Sequence, residues 1–265
     1  MTDTQTYIMD DPREGQRLLD KVDADAWISK FLEPNLPAVR SLLSVGCGPG
    51  VFLREVAEKN PHIKVAGVDM SHSRIRDAEQ RLRGLPNARV CTGNAQELPF
   101  EDNSFDLVFS RFLLEYLPDK QRAVKEMKRV CNRGGKILLQ DLDGQLVWHF
   151  PEDAELQRTT ERVLSYLATT GFDPFVGRKL FSLCLGATLT DIGVQMDSYH
   201  LYAGRISEQE FSQWQSKLEI ARPQIAAALG SEESAREYSG RFLEYLKSPG
   251  TLTYSCLFTV TATKP

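Results

Sequence analysis

Three glycines at alternate positions, Gly46, Gly48 and Gly50, follow the apolar run Leu42-Leu43-Ser44-Val45, and a helical pattern begins directly after them. In such a loop Gly46 permits a sharp turn and Gly48 removes a side chain where a ligand must approach the backbone. Gly50 lets the next helix start close to the strand. The following apolar run, Val65-Ala66-Gly67-Val68, ends at Asp69. A carboxylate there can accept two hydrogen bonds from a ribose diol. Alone the glycine spacing is weak, because glycines often only end a strand, and an Asp at a strand end can be no more than a helix N-cap. One strand apart, the two features together point to a bound nucleoside. The dinucleotide pattern G-x-G-x-x-G is not met, since Val51 stands where its third glycine belongs. That favours a ligand without phosphates.

These residues need a sheet to hold them. Ser41–Val45, Lys64–Val68, Arg89–Thr92, Phe105–Ser110 and Lys136–Leu142 read as strands, several apolar on both faces, as in a parallel sheet covered by helices. Between them lie helical stripes, one through Phe52, Leu53, Val56 and Ala57 and one through Ile75, Ala78 and Leu82. A third passes through Ala123, Val124, Met127 and Val130, with Asp119 as its N-cap. The repetition predicts right-handed βαβ units. A helical stripe in Glu14–Leu32 precedes the sheet, and helices near Glu152–Thr169 and Gly177–Gly186 follow it. A strand at Val194–Tyr202 and a final one at Thr251–Thr261 flank a helical block, Ile206–Lys247, opened by a Ser207/Glu210 capping box. The expected organisation is a single domain over 1–265: a helical cover over 1–36, a binding core over 37–205, a helical insertion over 206–248 and a closing strand over 249–265.

Composition narrows the partners. Of 265 residues, 42% are hydrophobic and 26% charged, which fits a globular chain. With 32 basic and 36 acidic residues the net charge is −4, so bulk charge does not attract nucleic acid. No apolar run is long enough to span a bilayer, and Met1–Asp10 is polar, unlike a secretory signal. The five cysteines are scattered, with no C-x-x-C pair, which argues for free thiols and a cytoplasmic location rather than a disulfide framework or zinc site.

Taken in order, the motifs resemble those of the class I S-adenosylmethionine-dependent methyltransferases of the bacterial small-molecule type. Gly46–Gly50 looks like the first motif and Val68-Asp69-Met70-Ser71 like the second. The run from Gly93 to Phe100 is similar to the third. Phe105-Asp106-Leu107-Val108 and the run from Arg129 to Gly135 resemble the strand-four and pre-strand-five signatures. The resemblance implies an α/β, Rossmann-like class I methyltransferase fold. Its sheet would be mostly parallel and seven-stranded, with an antiparallel last strand, plus a helical lid or insertion. It implies S-adenosyl-L-methionine as cofactor, S-adenosyl-L-homocysteine as product and a small-molecule substrate, with no nucleic-acid or membrane partner. Gly46 and Gly48 would lie under the methionine moiety, Asp69 would hold the ribose and Met70 would pack on adenine. Asn94 and Ala95 would read the adenine edge with Gln96 nearby, Ser110 and Arg111 would sit near the amino-acid end, and Tyr7 would belong to a covering segment. The chain departs from the family at Ser44 and Asn94, where acids are usual, and at Tyr116, where His is common.

Methyl transfer from a sulfonium is an in-line displacement, so the protein has mainly to align its reactants and exclude water. An oxygen acceptor needs help losing a proton, whereas a neutral amine does not. No metal-ligand cluster stands at usable spacing. Of the four histidines, His149 is the candidate base, because it follows the fifth strand toward the carboxyl end of the sheet. Two other classes stay open: a protein of this fold that binds the cofactor for a non-methylating reaction such as a cyclisation, and a non-catalytic binding protein.

Overall fold

The computed structural model describes residues 23–265, apart from the side chains of 145–147; Tyr7 and the Glu14–Leu18 segment expected to cover the ligand lie outside the described residues. Seven strands form one sheet: Ser41–Val45 (β1), Lys64–Asp69 (β2), Ala88–Thr92 (β3), Phe105–Arg111 (β4), Cys131–Phe150 (β5), Thr190–Ala203 (β6) and Leu252–Thr263 (β7). Their order is β3-β2-β1-β4-β5-β7-β6. Strands β1 to β5 pair in parallel, and β7 runs antiparallel to both neighbours. This is the predicted mostly parallel sheet with an antiparallel last strand. The strand order reverses between β1 and β4, and open α/β sheets bind ligands at the carboxyl ends of the strands flanking such a switch.

Helices cover both faces: Ala24–Trp27 (α1), Val51–Lys59 (α2), His72–Arg81 (α3), Lys120–Val130 (α4), Ala154–Ala168 (α5), Leu180–Gly186 (α6), Glu208–Leu229 (α7) and Glu232–Lys247 (α8). Alternation along the strands sorts the core. Leu42, Val65, Leu107, Phe109 and Leu138 pack with Trp27, Leu53, Val56 and Ile75 on one face. Leu43, Val68, Val108, Leu139 and Val260 pack with Val124, Met127, Leu180 and Cys184 on the other. The predicted caps form. Asp119 Oδ1 accepts from Arg122 N at 2.9 Å, and Ser207 and Glu210 exchange hydrogen bonds at 3.2 Å each way.

Helices α5, α7 and α8 enclose a third apolar core built on Leu156, Trp214, Leu218, Tyr238 and Phe242. It stands on an extension of the sheet that differs from expectation. The fifth strand was predicted to end at Leu142, yet β5 continues to Phe150 because β7 pairs with it to the end, Phe150 opposite Leu252. Extra residues bulge out between Asp143 and Trp148, after which the Trp148 and Tyr254 rings stack with centroids 6.2 Å apart.

Candidate cofactor site

The glycine loop is built on β2. After Val45 the chain turns so that the N–H groups of Gly46 and Cys47 both donate to Val68 O, at 2.8 and 3.0 Å. Gly48 N then donates to Asp69 Oδ2 at 2.9 Å, while Asp69 Oδ1 accepts from Ser71 N at 3.0 Å. Asp69 is 8% exposed, so one buried carboxylate ties the loop to the strand end. Gly48 has φ +53°, and a Cβ placed on it would meet nothing within 4 Å. The backbone there faces open space. Gly50 plays its part against a different neighbour: a Cβ on it would stand 3.0 Å from Ala78 Cβ, so it brings α2 against α3 rather than against a strand. Cys47, in the loop, is buried. Burial, and then the charge of Asp69, push its thiol well up, which leaves it protonated and no nucleophile.

The neighbouring strand ends bring most of the other predicted residues to the same edge. Met70 is 44% exposed beside Asp69, a wasteful place for a core methionine and a fitting one for a ligand contact. Thr92 pairs with Asp69, and Gly93 N donates to Asp69 O at 3.0 Å, which sets Asn94 and Ala95 one strand over. Asn94 Oδ1 accepts from Gln96 N at 2.9 Å. The Gln96 side chain turns away, its Oε1 accepting from Asp119 N at the start of α4. Ser110 stands opposite Val45 across β1 and β4, and its buried Oγ has no partner among the described residues. Arg111 lies next along β4, over the rings of Phe112, Phe52 and Trp27.

His149 is not brought into this group. It pairs with Thr253, six places along β7 from the Thr259 that faces Gln140, and its ring lies against Phe242 and Tyr245 of α8. The aromatic row that leaves the site runs instead through Phe112, Tyr199, His200 and Trp214, with centroids 5.2, 4.5 and 5.0 Å apart in turn. Sequence reasoning also passed over Gln140 and Asp141. Their signal was available: two polar residues directly after the apolar run Ile137-Leu138-Leu139, inside a strand.

Asp141 is 1% exposed and sits beside buried Glu115. Burial, then the Glu115 charge, raise its pKa well above the usual carboxylate value, although Leu142 N and Glu115 N donate to it at 3.1 and 3.3 Å. An acid whose pKa is raised by folding stabilises fully below its unfolded pKa, and that contribution is lost as pH rises through the folded value. The contribution of Asp141 is therefore expected to fall with rising pH from the ordinary carboxylate range upward, and Asp141→Asn should remove that component from the pH dependence of stability. Denaturant midpoints between about pH 4 and about pH 8 test this, and an unchanged slope would rule out linkage through Asp141.

Residues 43–139 match the methyltransferase domain family. This segment is a class I methyltransferase domain. Domains of this class use S-adenosylmethionine. The matched span of the methyltransferase domain runs from β1 into β5 and takes in the whole glycine-loop edge. A demethylmenaquinone methyltransferase of Geobacillus stearothermophilus is 40% identical over 104 residues, 38% of this chain and 44% of its own. An uncharacterized methyltransferase of Schizosaccharomyces pombe is 27% identical over 213 residues, 76% of this chain and 73% of its own. Among solved structures, Haemonchus contortus phosphoethanolamine N-methyltransferase 2, in complex with phosphomonomethylethanolamine and S-adenosylhomocysteine, has a TM-score of 0.58 at 19% identity. That match covers 91% of this chain and 52% of the other, and it shows likeness of fold. The chain spans less than half the length of the first curated relatives it matches, 42%, 44% and 44%. Among the described residues no helix is long and apolar enough to cross a membrane.

Proposed function

We propose that this protein transfers a methyl group from S-adenosylmethionine to a small-molecule acceptor held between the carboxyl edge of the sheet and the α5–α7–α8 cap. The observation that carries the reading is the buried Asp69 carboxylate beside the open backbone of Gly48. A ribose diol needs that acceptor, and a close-lying ligand chain needs that bare loop. The orphaned Ser110 Oγ fits the same ligand, because a buried hydroxyl left without a partner is costly. Asp69, Met70, Asn94 and Ala95 would hold the nucleoside, with Ser110 and Arg111 toward the amino-acid end. Bound there, S-adenosylmethionine supplies a methyl group already activated on sulfur. The chain's own task is to fix the acceptor in line and keep water out, and the Phe112–Tyr199–His200–Trp214 row offers an apolar wall for that purpose. Relatives that act on demethylmenaquinone support a small-molecule acceptor.

S-adenosylhomocysteine at about 100 times its Kd should stabilise the fold by about 2.7 kcal/mol, seen as a higher Tm, and NAD should not. A shift with NAD and none with S-adenosylhomocysteine would refute the reading. Incubation with methyl-labelled cofactor and extracted metabolites then tests the reaction: label in a metabolite supports transfer, and binding without transfer points to a non-methylating protein.

A further inference from the structure

One buried amide joins three strands at the edge of the proposed site. Gln140 is 1% exposed and stands in register with Arg111 of β4 and Thr259 of β7. Its Oε1 accepts from Trp27 Nε1 at 2.6 Å and from Arg111 Nε at 3.1 Å, and its Nε2 donates to Thr259 Oγ1 at 2.7 Å. The two N–H donors fix the amide, since turning it over would set an NH2 against both of them. The guanidinium it holds lies 4.0 Å from the Phe112 ring centroid, 5.4 Å from Phe52 and 5.8 Å from Trp27. Phe52 belongs to the first turn of α2, the helix that the glycine loop opens.

Burial works against the charge of Arg111, and the Tyr199 hydroxyl and then the more distant Asp141 partly offset it. Among the described residues no carboxylate pairs with this cation within 4.0 Å. Its hydrogen-bond partners are neutral, so its charge is still available to a ligand, and a carboxylate is the anion that a planar guanidinium matches with two parallel bonds. A Glu in place of Gln140 would occupy that charge from within the protein.

We propose that Arg111 receives the amino-acid carboxylate of the cofactor and that Gln140 is its positioning residue, a neutral clamp that aims the guanidinium without neutralising it. This rests on the S-adenosylmethionine reading above. The test is calorimetric binding of S-adenosylhomocysteine and of 5′-methylthioadenosine, which keeps the nucleoside and lacks the amino-acid end, to the full chain. Gln140→Glu preserves all three contacts, because its carboxylate accepts from Trp27 and Arg111 and the Thr259 hydroxyl can turn to donate. In this variant S-adenosylhomocysteine should bind about 10- to 100-fold more weakly, while methylthioadenosine changes by less than about twofold. Arg111→Gln should give the same split, and the double variant little more than either single one. Equal losses for both ligands, or no loss for either, would overturn the proposal. A wild-type chain that binds neither ligand would overturn the cofactor reading itself, and the receptor with it.

Discussion

Truncating Phe242 to Ala should lower the stability of the chain by about 3–5 kcal/mol. The side chain is 0% exposed and sits where α8 meets α7 and the end of β5. Its ring meets Trp214 edge-on with centroids 5.6 Å apart and His149 at 5.9 Å. Removing it opens a ring-sized void among Leu156, Leu218 and Leu246, helix-borne side chains that cannot move in without shifting their backbones. Urea unfolding followed by fluorescence measures the loss. A change below about 1 kcal/mol would mean that the cap closes around small side chains, against the packing seen here. Two separated transitions in the variant would show the cap melting ahead of the sheet.

Asp69→Ala should weaken S-adenosylhomocysteine by about 1–3 kcal/mol, roughly 5- to 150-fold in Kd. Two losses combine. The ribose acceptors go, and so do the bonds from Gly48 N and Ser71 N that hold the loop on the strand. Asp69→Asn separates them, because its single carbonyl oxygen can keep one backbone donor while the amide nitrogen accepts nothing. An intermediate affinity is expected for Asn. Wild-type affinity in Asp69→Ala, by calorimetry, would remove the carboxylate from the ribose site.

The glycine loop, Asp69 and the five parallel strands were legible because each is local: a short apolar run, a turn residue, a helical stripe. The caps at Asp119 and Ser207 were legible for the same reason, and both form. What the sequence hid depends on distant partners. Gln140 and Asp141 fall inside the predicted strand Lys136–Leu142, but nothing local shows that Gln140 is satisfied by Trp27 and Thr259, 113 and 119 residues away. The same holds for the length of β5. Asp143 and Gly144 look like its end, and only the pairing of β7 carries it on to Phe150. His149 was placed by that apparent end, and the longer strand takes it out toward α8.

Helices α7 and α8 leave the sheet after Ala203 and return to it at Leu252, and these two residues are partners on one rung of the β6–β7 ladder. Just beyond that rung, Gly204 N donates to Thr251 O at 2.7 Å. A segment that departs and rejoins at a single rung works as a cassette. It can lengthen, shorten or be exchanged without sliding either strand, because the register on both sides is set by the rungs before it. The surfaces it shares with α5 and with the outer ends of β5 and β6 would have to be matched. The glycine loop lies at the far side of β5 and β4 from this junction, so an exchange would leave it unchanged. On the proposed reading, the acceptor side of the site can change with that segment while the nucleoside half stays as it was.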